Sequence, residues 1–406
     1  MPQPPKIRPM STPASPPNTH RRRYDITIRG GGVVGQTLAL LLARERLRVA
    51  LVSPAASVTA DARPDVRAYA LNAASRALLQ SLRCWPDGAW GSDAPAMPAV
   101  TPVTEMQVWG DGGGTLGFSA PALGVDALSW IVDVPALERR LADAVGFQSG
   151  IDCHTEAPPA ALTVVCEGKR SRSREALGLT FDVRPYPHKA LAARLRCERP
   201  HGGVARQWFH NGEILALLPM DGPDGNLVAL VWSVPTEQAN AWLAAPATEL
   251  CDAVQQRCAA VLGTLELQGA AQAWPLELSR AQRWIARLPA EQGGGGVVLA
   301  GDAAHAMHPL AGQGLNVGLA DVAELARVLQ AREYWRELGD LKLLRRYERA
   351  RQADVWAMGW LTDGLFGLFS HGDSRVQSAR NWGLRGVDQA GLLKRWLARQ
   401  AAGLAV

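Results

Sequence analysis

The sequence predicts an α/β protein: a Rossmann-like strand-turn-helix-strand unit near the N-terminus, an antiparallel sheet in the middle and helices towards the C-terminus. Three observations carry that prediction. Gly30-x-Gly32-x-x-Gly35 stands between the apolar run Ile26-Thr27-Ile28 and a helical pattern through Leu38, Ala39, Leu42 and Ala43, with Val49-Ala50-Leu51-Val52 behind it. Alternating apolar runs separated by turn signals fill residues 181–285. A further apolar run, Val297-Val298-Leu299-Ala300, stops at Gly301-Asp302, and helical spacing resumes at Leu315, Leu319, Val322, Leu325, Ala326 and Leu329.

The first 23 residues hold seven prolines among serines and threonines up to Pro17, too little apolar surface to offset ordering, and are expected to form a disordered tail. Arg21-Arg22-Arg23 precedes an apolar segment, but Gly30-Gly31-Gly32 interrupts it, which argues against an export signal. The glycines that follow allow a tight turn, close approach of a pyrophosphate to backbone N–H groups, and close helix-on-strand packing. At the end of the second strand the fingerprint expects an acidic residue for the ribose; Ser53 stands there and can bond one hydroxyl without charge assistance.

Asp65-Val66-Arg67-Ala68-Tyr69-Ala70-Leu71-Asn72 leads into a helix ending near Trp85, and residues 86–104 read as a loop. A hairpin is expected from Gln107-Val108-Trp109 to Phe118 across Asp111-Gly112. A helix should start at Pro135, since proline suits the first helical turn, and only a short Pro- and Ala-rich stretch then separates Val145 from Val164. In the middle region Asn211-Gly212 and Asp221-Gly222 separate strands, and a helix near Ala245 to Val261 should pack on their sheet. Asp302, ending a buried strand, needs a hydrogen-bond partner, and a ligand hydroxyl could supply it. Gly312 and Gly314 bare the N–H groups of the next helix towards the loop that Pro309 stiffens, a place suited to a partly anionic group. A long helix over Leu341 to Leu361 and a terminal one over Val387 to Ala401 complete the chain.

With 406 residues, 47% hydrophobic and 20% charged, the chain has the composition of a soluble globular protein. Its net charge of +5 suits anionic cofactors or an anionic membrane surface, and no clustered basic patch for nucleic acid is found. The six cysteines are scattered, without CxxC or metal-ligand spacing, as in a reduced cytoplasmic protein. No apolar run reaches the roughly 18–20 residues of a membrane span.

The pattern GDAAH, Pro309, Gly312-Gln313-Gly314-Leu315-Asn316, Gly318 and Asp321 resembles the second flavin motif of the single-component FAD-dependent aromatic hydroxylases. Within that family the D-x-R-x-x-A-L segment, Trp85, the His201 to Pro219 stretch and the Leu384 to Gly403 tail look most like the ubiquinone-biosynthesis hydroxylases. The resemblance implies an FAD-binding domain of discontinuous segments (24–180 and 286–330), with an antiparallel substrate domain inserted at 181–285 and a C-terminal helical region over 331–406. It implies cofactor binding by Gly30, Gly32, Gly35, Ser53, Arg67, Gly301, Asp302, Pro309, Gly312, Gln313, Gly314, Leu315 and Asn316. Asp302 would bond the ribityl or ribose part, and the Pro309-to-Asn316 loop would lie against the flavin ring. Leu218 and Pro219 would border the substrate. No catalytic base is named.

Two departures from the family pattern stand out. Glu167 replaces the Asp of the middle motif, in which Gly168, Ser171 and Arg174 match, and a three-stranded meander before that motif is missing. The implied reaction is NAD(P)H- and O₂-dependent hydroxylation of a polyprenylated phenol, with the C-terminal helices meeting a membrane surface or a ubiquinone-synthesis assembly at the cytoplasmic face. Two other readings stay open: a weakly FAD-binding structural member of such an assembly, and a hydroxylase of a small soluble aromatic.

Overall fold

A computed structural model describes residues 24–53, 65–86, 98–110, 113–306 and 314–370, with 357–370 as backbone alone. The expected N-terminal tail, the Asp111-Gly112 turn and the terminal helix lie outside the described residues. In chain order, β1 (Tyr24–Arg29) passes through the glycine turn to α1 (Val33–Arg44) and β2 (Val49–Val52). Then come β3 (Ala68–Leu71), α2 (Ala73–Ser81), β4 (Val100–Val103), β5 (Glu105–Trp109), β6 (Thr115–Ser119) and the short α3 (Ala120–Leu123). β7 (Ser129–Asp133) feeds α4 (Val134–Phe147), followed by β8 (Ile151–His154), β9 (Ala160–Val165) and α5 (Arg172–Ala176). Long strands β10 (Phe181–Cys197), β11 (Val204–His210), β12 (Glu213–Met220) and β13 (Leu227–Pro235) precede α6 (Thr236–Ala244), α7 (Ala247–Arg257) and β14 (Leu265–Ala281). The chain continues through β15 (Ile285–Arg287), β16 (Gly296–Leu299), β17 (His305–Ala306), α8 (Gly314–Gln330) and α9 (Leu341–Ser370).

Three sheets result. The first has the order β15-β16-β9-β1-β2-β8, parallel from β16 to β8 with β15 antiparallel at its edge. Its central strands are apolar on both faces because helices cover both, as a parallel sheet requires; Ile26, Ile28, Val164 and Val298 have no exposed surface. The second sheet has the order β17-β14-β10-β13-β12-β11-β5-β6. One face packs on α6 and α7 through Leu191, Leu195, Leu217, Leu230 and Trp232 against Leu250 and Val254. The other face meets the small third sheet, β3-β7-β4, where Ala70, Val103 and Ile131 pack on Leu218, Met220 and Ala229.

The structure corrects the sequence reading: the expected loop over 86–104 holds β4, which pairs with β7. The second sheet is not confined to 181–285: β5 joins it by a parallel pairing with β11, β6 follows, and β17 pairs with β14, while β15 belongs to the first sheet. Turn signals locate hairpins, but a pairing between residues about a hundred apart leaves no local trace. The short Pro- and Ala-rich stretch between Val145 and Val164 keeps strand structure of its own. It contains β8, whose Asp152 and His154 each lie 2.8 Å from the Tyr24 hydroxyl.

Candidate functional site: a cleft where two glycine turns meet

The first turn follows β1. Gly30 has φ +118°, and a Cβ there would lie 2.3 Å from the Cys166 carbonyl oxygen; a Cβ on Gly35 would lie 1.9 Å from that of Gly30. Both positions therefore require glycine, the one for its backbone and the other for helix-on-turn packing. Gly32 faces open space, with nothing within 4 Å of its Cβ position, and as N-cap of α1 it offers no side-chain bond to the helix N–H groups. An uncapped, unobstructed helix start of this kind fits a diphosphate. The exposed Ser53 stands beside it, its Oγ 2.7 Å from where a Gly31 Cβ would be.

The second turn follows β16. Gly301 (φ +60°), Asp302 and Ala303 form one 3-10 turn. Val34, from the start of α1, lies 3.3 Å from a Cβ on Gly301 and 2.9 Å from one on Gly318 of α8. Two bare glycines thus let α1, the Asp302 turn and α8 touch at one valine, which brings the two motifs to one cleft. Asp302 is exposed to solvent at the end of this turn, although protein on its other side still disfavours its charge, and no hydrogen bond to its carboxylate is found among the described residues. Burial pushes its carboxyl up, opposed by the charges of Lys169, His305 and Arg67. The Tyr69 phenol is raised by burial, with Arg67 opposing the shift and Asp302 adding to it. A crowded carboxylate without a donor is suited to accept a ligand hydroxyl.

Buried anchors hold that turn. Asp321 of α8 has no exposed surface; its Oδ2 accepts from the Gly301 N–H at 2.8 Å and lies 2.7 Å from His305 Nε2, while its Oδ1 accepts from Arg351 Nε at 2.8 Å. Burial works against the charge of Asp321, but His305 and Arg351 outweigh it and hold the carboxyl below its usual range. Arg174, 3% exposed, donates to the Ala303 carbonyl at 3.1 Å and to the Lys169 carbonyl at 2.8 Å, its guanidinium 3.4 Å from the centre of the Phe181 ring. Glu167 accepts from Ser171 Oγ at 2.7 Å and from the Ser173 N–H and Oγ at 2.9 and 2.6 Å. Burial raises its carboxyl, and the serine bonds more than offset this, leaving it below the usual range. The longer Glu side chain is therefore anchored at the start of α5.

The remaining expected residues divide. Arg67 forks onto Asp65, Nε at 2.9 Å from both oxygens and Nη2 at 2.6 Å, with Glu138 at 3.7 Å; the Asp65 bond holds its guanidinium firmly protonated. The Asn316 amide bridges α8 to the β3–α2 corner: Oδ1 accepts from the Asn72 N–H at 3.0 Å and Ser75 Oγ at 2.7 Å, and Nδ2 donates to the Ala70 carbonyl at 2.8 Å. Its side chain thus orients the helix, and Leu315 beside it is buried in the core. Gly314 opens α8 with no atom near its Cβ position. Pro309, Gly312 and Gln313 lie outside the described residues. Leu218 fills the layer between the second and third sheets, and Pro219, paired with Val228, is buried too; both are core positions.

On the face that Leu218 shares, register sets Ala192, Val231, Ala216 and Gln207 in one row and Ala190, Ser233 and Ile214 in the next. Ser233 is 5% exposed, and its hydroxyl has no hydrogen-bond partner among the described residues. Asp321 and Arg174 stand within motifs legible in the sequence, but nothing local to them marks their anchoring role. Arg351 carries no sequence signal at all, since only its burial separates it from the other arginines of α9.

A family described as FAD binding domain matches residues 154–360, just over half of the chain. Ubiquinone hydroxylase UbiL of Rhodospirillum rubrum is 32% identical over 400 residues, covering 93% of this chain and 89% of that protein. The 3-demethoxyubiquinol 3-hydroxylase of Escherichia coli is 29% identical over 404 residues, covering 94% and 98%. Among solved structures, p-nitrophenol 4-monooxygenase PnpA of Pseudomonas putida superposes with a TM-score of 0.71 at 17% identity, covering 93% of this chain and 97% of that one. PqsL of Pseudomonas aeruginosa, in complex with 2-aminobenzoylacetate, gives 0.70 at 21% identity, covering 89% and 99%. The fold is thus that of the flavin monooxygenases, and the chain belongs to the FAD-binding aromatic hydroxylase family, among relatives named as ubiquinone hydroxylases.

Proposed function

We propose that the protein hydroxylates a polyprenylated phenol in ubiquinone biosynthesis, using O₂ and electrons from NAD(P)H. The observation that carries this reading is the meeting of both glycine turns at Val34, which brings the open, uncapped start of α1 and the turn bearing the unpartnered Asp302 carboxylate together. FAD bound there supplies the redox and oxygen chemistry. The α1 N–H groups bind its diphosphate, Ser53 a ribose hydroxyl, and Asp302 a ribityl or ribose hydroxyl. The start of α8 favours negative charge at the ring, and Asn316 fixes the direction of that helix. Ala192, Ala216 and Val231 give an aromatic ring an apolar floor that excludes water, and Ser233 Oγ is the hydrogen-bonding group for its phenol oxygen.

An aromatic acid would call for a cation on that face. Arg194, which shares it, is committed to Asp133 and to the Asp65 carbonyl, which favours a neutral phenol. The first test is the visible spectrum of the purified protein before and after anaerobic NADH or NADPH. Flavin bands that bleach, followed by O₂ uptake stimulated by a polyprenylated phenol, are the expected result. A protein that stays colourless with excess FAD would refute the reading.

Contact with a membrane or a synthesis assembly is proposed at the α8–α9 connection. Tyr334 and Trp335 are 94% and 67% exposed, and Lys342, Arg345, Arg346 and Arg349 line one exposed side of α9. Among the described residues no helix is long and apolar enough to cross a membrane. Aromatic rings beside a cationic helix face suit an anionic surface. Co-sedimentation with anionic but not neutral vesicles, lost in Trp335→Ala, is expected; equal recovery from both vesicle types would refute it.

A further inference from the structure

We propose that Asp321 is the positioning residue for Asp302, an inference that rests on the cleft being the flavin site. One carboxylate oxygen of Asp321 holds both ends of the turn that carries Asp302: the Gly301 N–H before it and His305 Nε2 after it. The middle of the turn is fixed from the other side by Arg174 on the Ala303 carbonyl. Asp302 is left as the exposed side chain of this turn, with no hydrogen-bond partner among the described residues. The other Asp321 oxygen is set by Arg351, which also reaches the Val317 carbonyl at 3.3 Å and Asp354 at 2.7 Å, so the carboxylate has a single orientation. The Trp284 ring, 5.1 Å from that of His305, and the Tyr347 hydroxyl, 3.1 Å from the Leu299 carbonyl, close the pocket and steady the strand before the turn. A carboxylate that must meet a ligand hydroxyl within a few tenths of an ångström needs such support, because Gly301 by itself leaves the turn free to swing.

The test is a double-mutant cycle on the full chain, read as FAD dissociation constant by flavin fluorescence and as the midpoint potential of bound FAD. Asp302→Asn and Asp321→Asn are each expected to weaken FAD about tenfold to a hundredfold, the scale of one hydrogen bond to a charged group. The double variant should bind within about twofold of the weaker single variant, because Asp321 acts through Asp302. Losses that multiply, or an Asp321→Asn protein that melts early yet binds FAD at the original affinity and potential, would overturn the proposal. If Asp321→Asn does not fold, His305→Gln and His305→Ala replace it. The glutamine amide keeps a donor at the Nε2 position, so it should retain FAD affinity while alanine loses it, and equal affinities would overturn the idea. An Asp302→Asn protein that binds FAD normally would instead refute the reading of the cleft.

Discussion

Gly318→Ala tests how the two motifs meet. The added Cβ would lie 2.9 Å from Val34 Cγ2 and 3.6 Å from Gly301 Cα, against roughly 3.5–4.0 Å for relaxed carbon contacts. Val34 cannot turn away easily. It is β-branched on a helix, where one rotamer dominates. Helices α1 and α8 must therefore separate by more than half an ångström, and overpacking of this size costs about 1–3 kcal/mol. The same movement drags the start of α8 from the cleft, so FAD affinity should fall together with stability. Val34→Ala removes the clashing methyl: combined with Gly318→Ala it should recover most of the loss, although alone it destabilises. Urea unfolding and FAD titration of the four proteins measure the coupling. A Gly318→Ala protein of unchanged stability, or a double variant no better than Gly318→Ala, would show that the contact at Val34 does not join the motifs.

Two further predictions concern carboxylates. Because burial raises the Asp302 carboxyl above its unfolded value, its contribution to folding is present below about pH 3.8 and is lost as pH rises through the folded value. Asp302→Asn should consequently leave the apoprotein at least as stable at pH 7 while weakening FAD, since solvent reaching this exposed side chain limits the gain; a destabilised apoprotein would contradict the absence of a partner for this side chain. Glu167 has the opposite sign: its folded value is depressed, so its contribution is complete above about pH 4.5 and is lost as pH falls through the lowered folded value. Glu167→Gln should lower stability at pH 7 and flatten the acid limb of a stability profile, and an unchanged limb would place the acid-sensitive group elsewhere.

Much of the cofactor architecture is determined by the sequence alone, because it depends on residues whose backbone demands are local. Gly30, Gly32 and Gly35 announce a turn and a bare helix start, the apolar run to Ala300 announces a buried strand, and Asp302 announces an acceptor at its end. What tertiary structure decided depends on partners far apart in the chain. The parallel pairing of β5 with β11 widened the second sheet, and the edge strand β8 formed by parallel pairing with β2, about a hundred residues earlier in the chain, with its Asp152 and His154 meeting Tyr24. Asn316, expected at the cofactor, directs its amide to Asn72, Ser75 and Ala70, and Leu218 fills a layer between sheets that no periodicity within its own strand could reveal. Glu167 illustrates the difference: read as a substitution it suggests a disturbed geometry, whereas in the fold two serines receive the longer side chain. Arg351 is one arginine among several in α9 until α8 packs against that helix; burial beside Asp321 then makes it the partner of a buried charge.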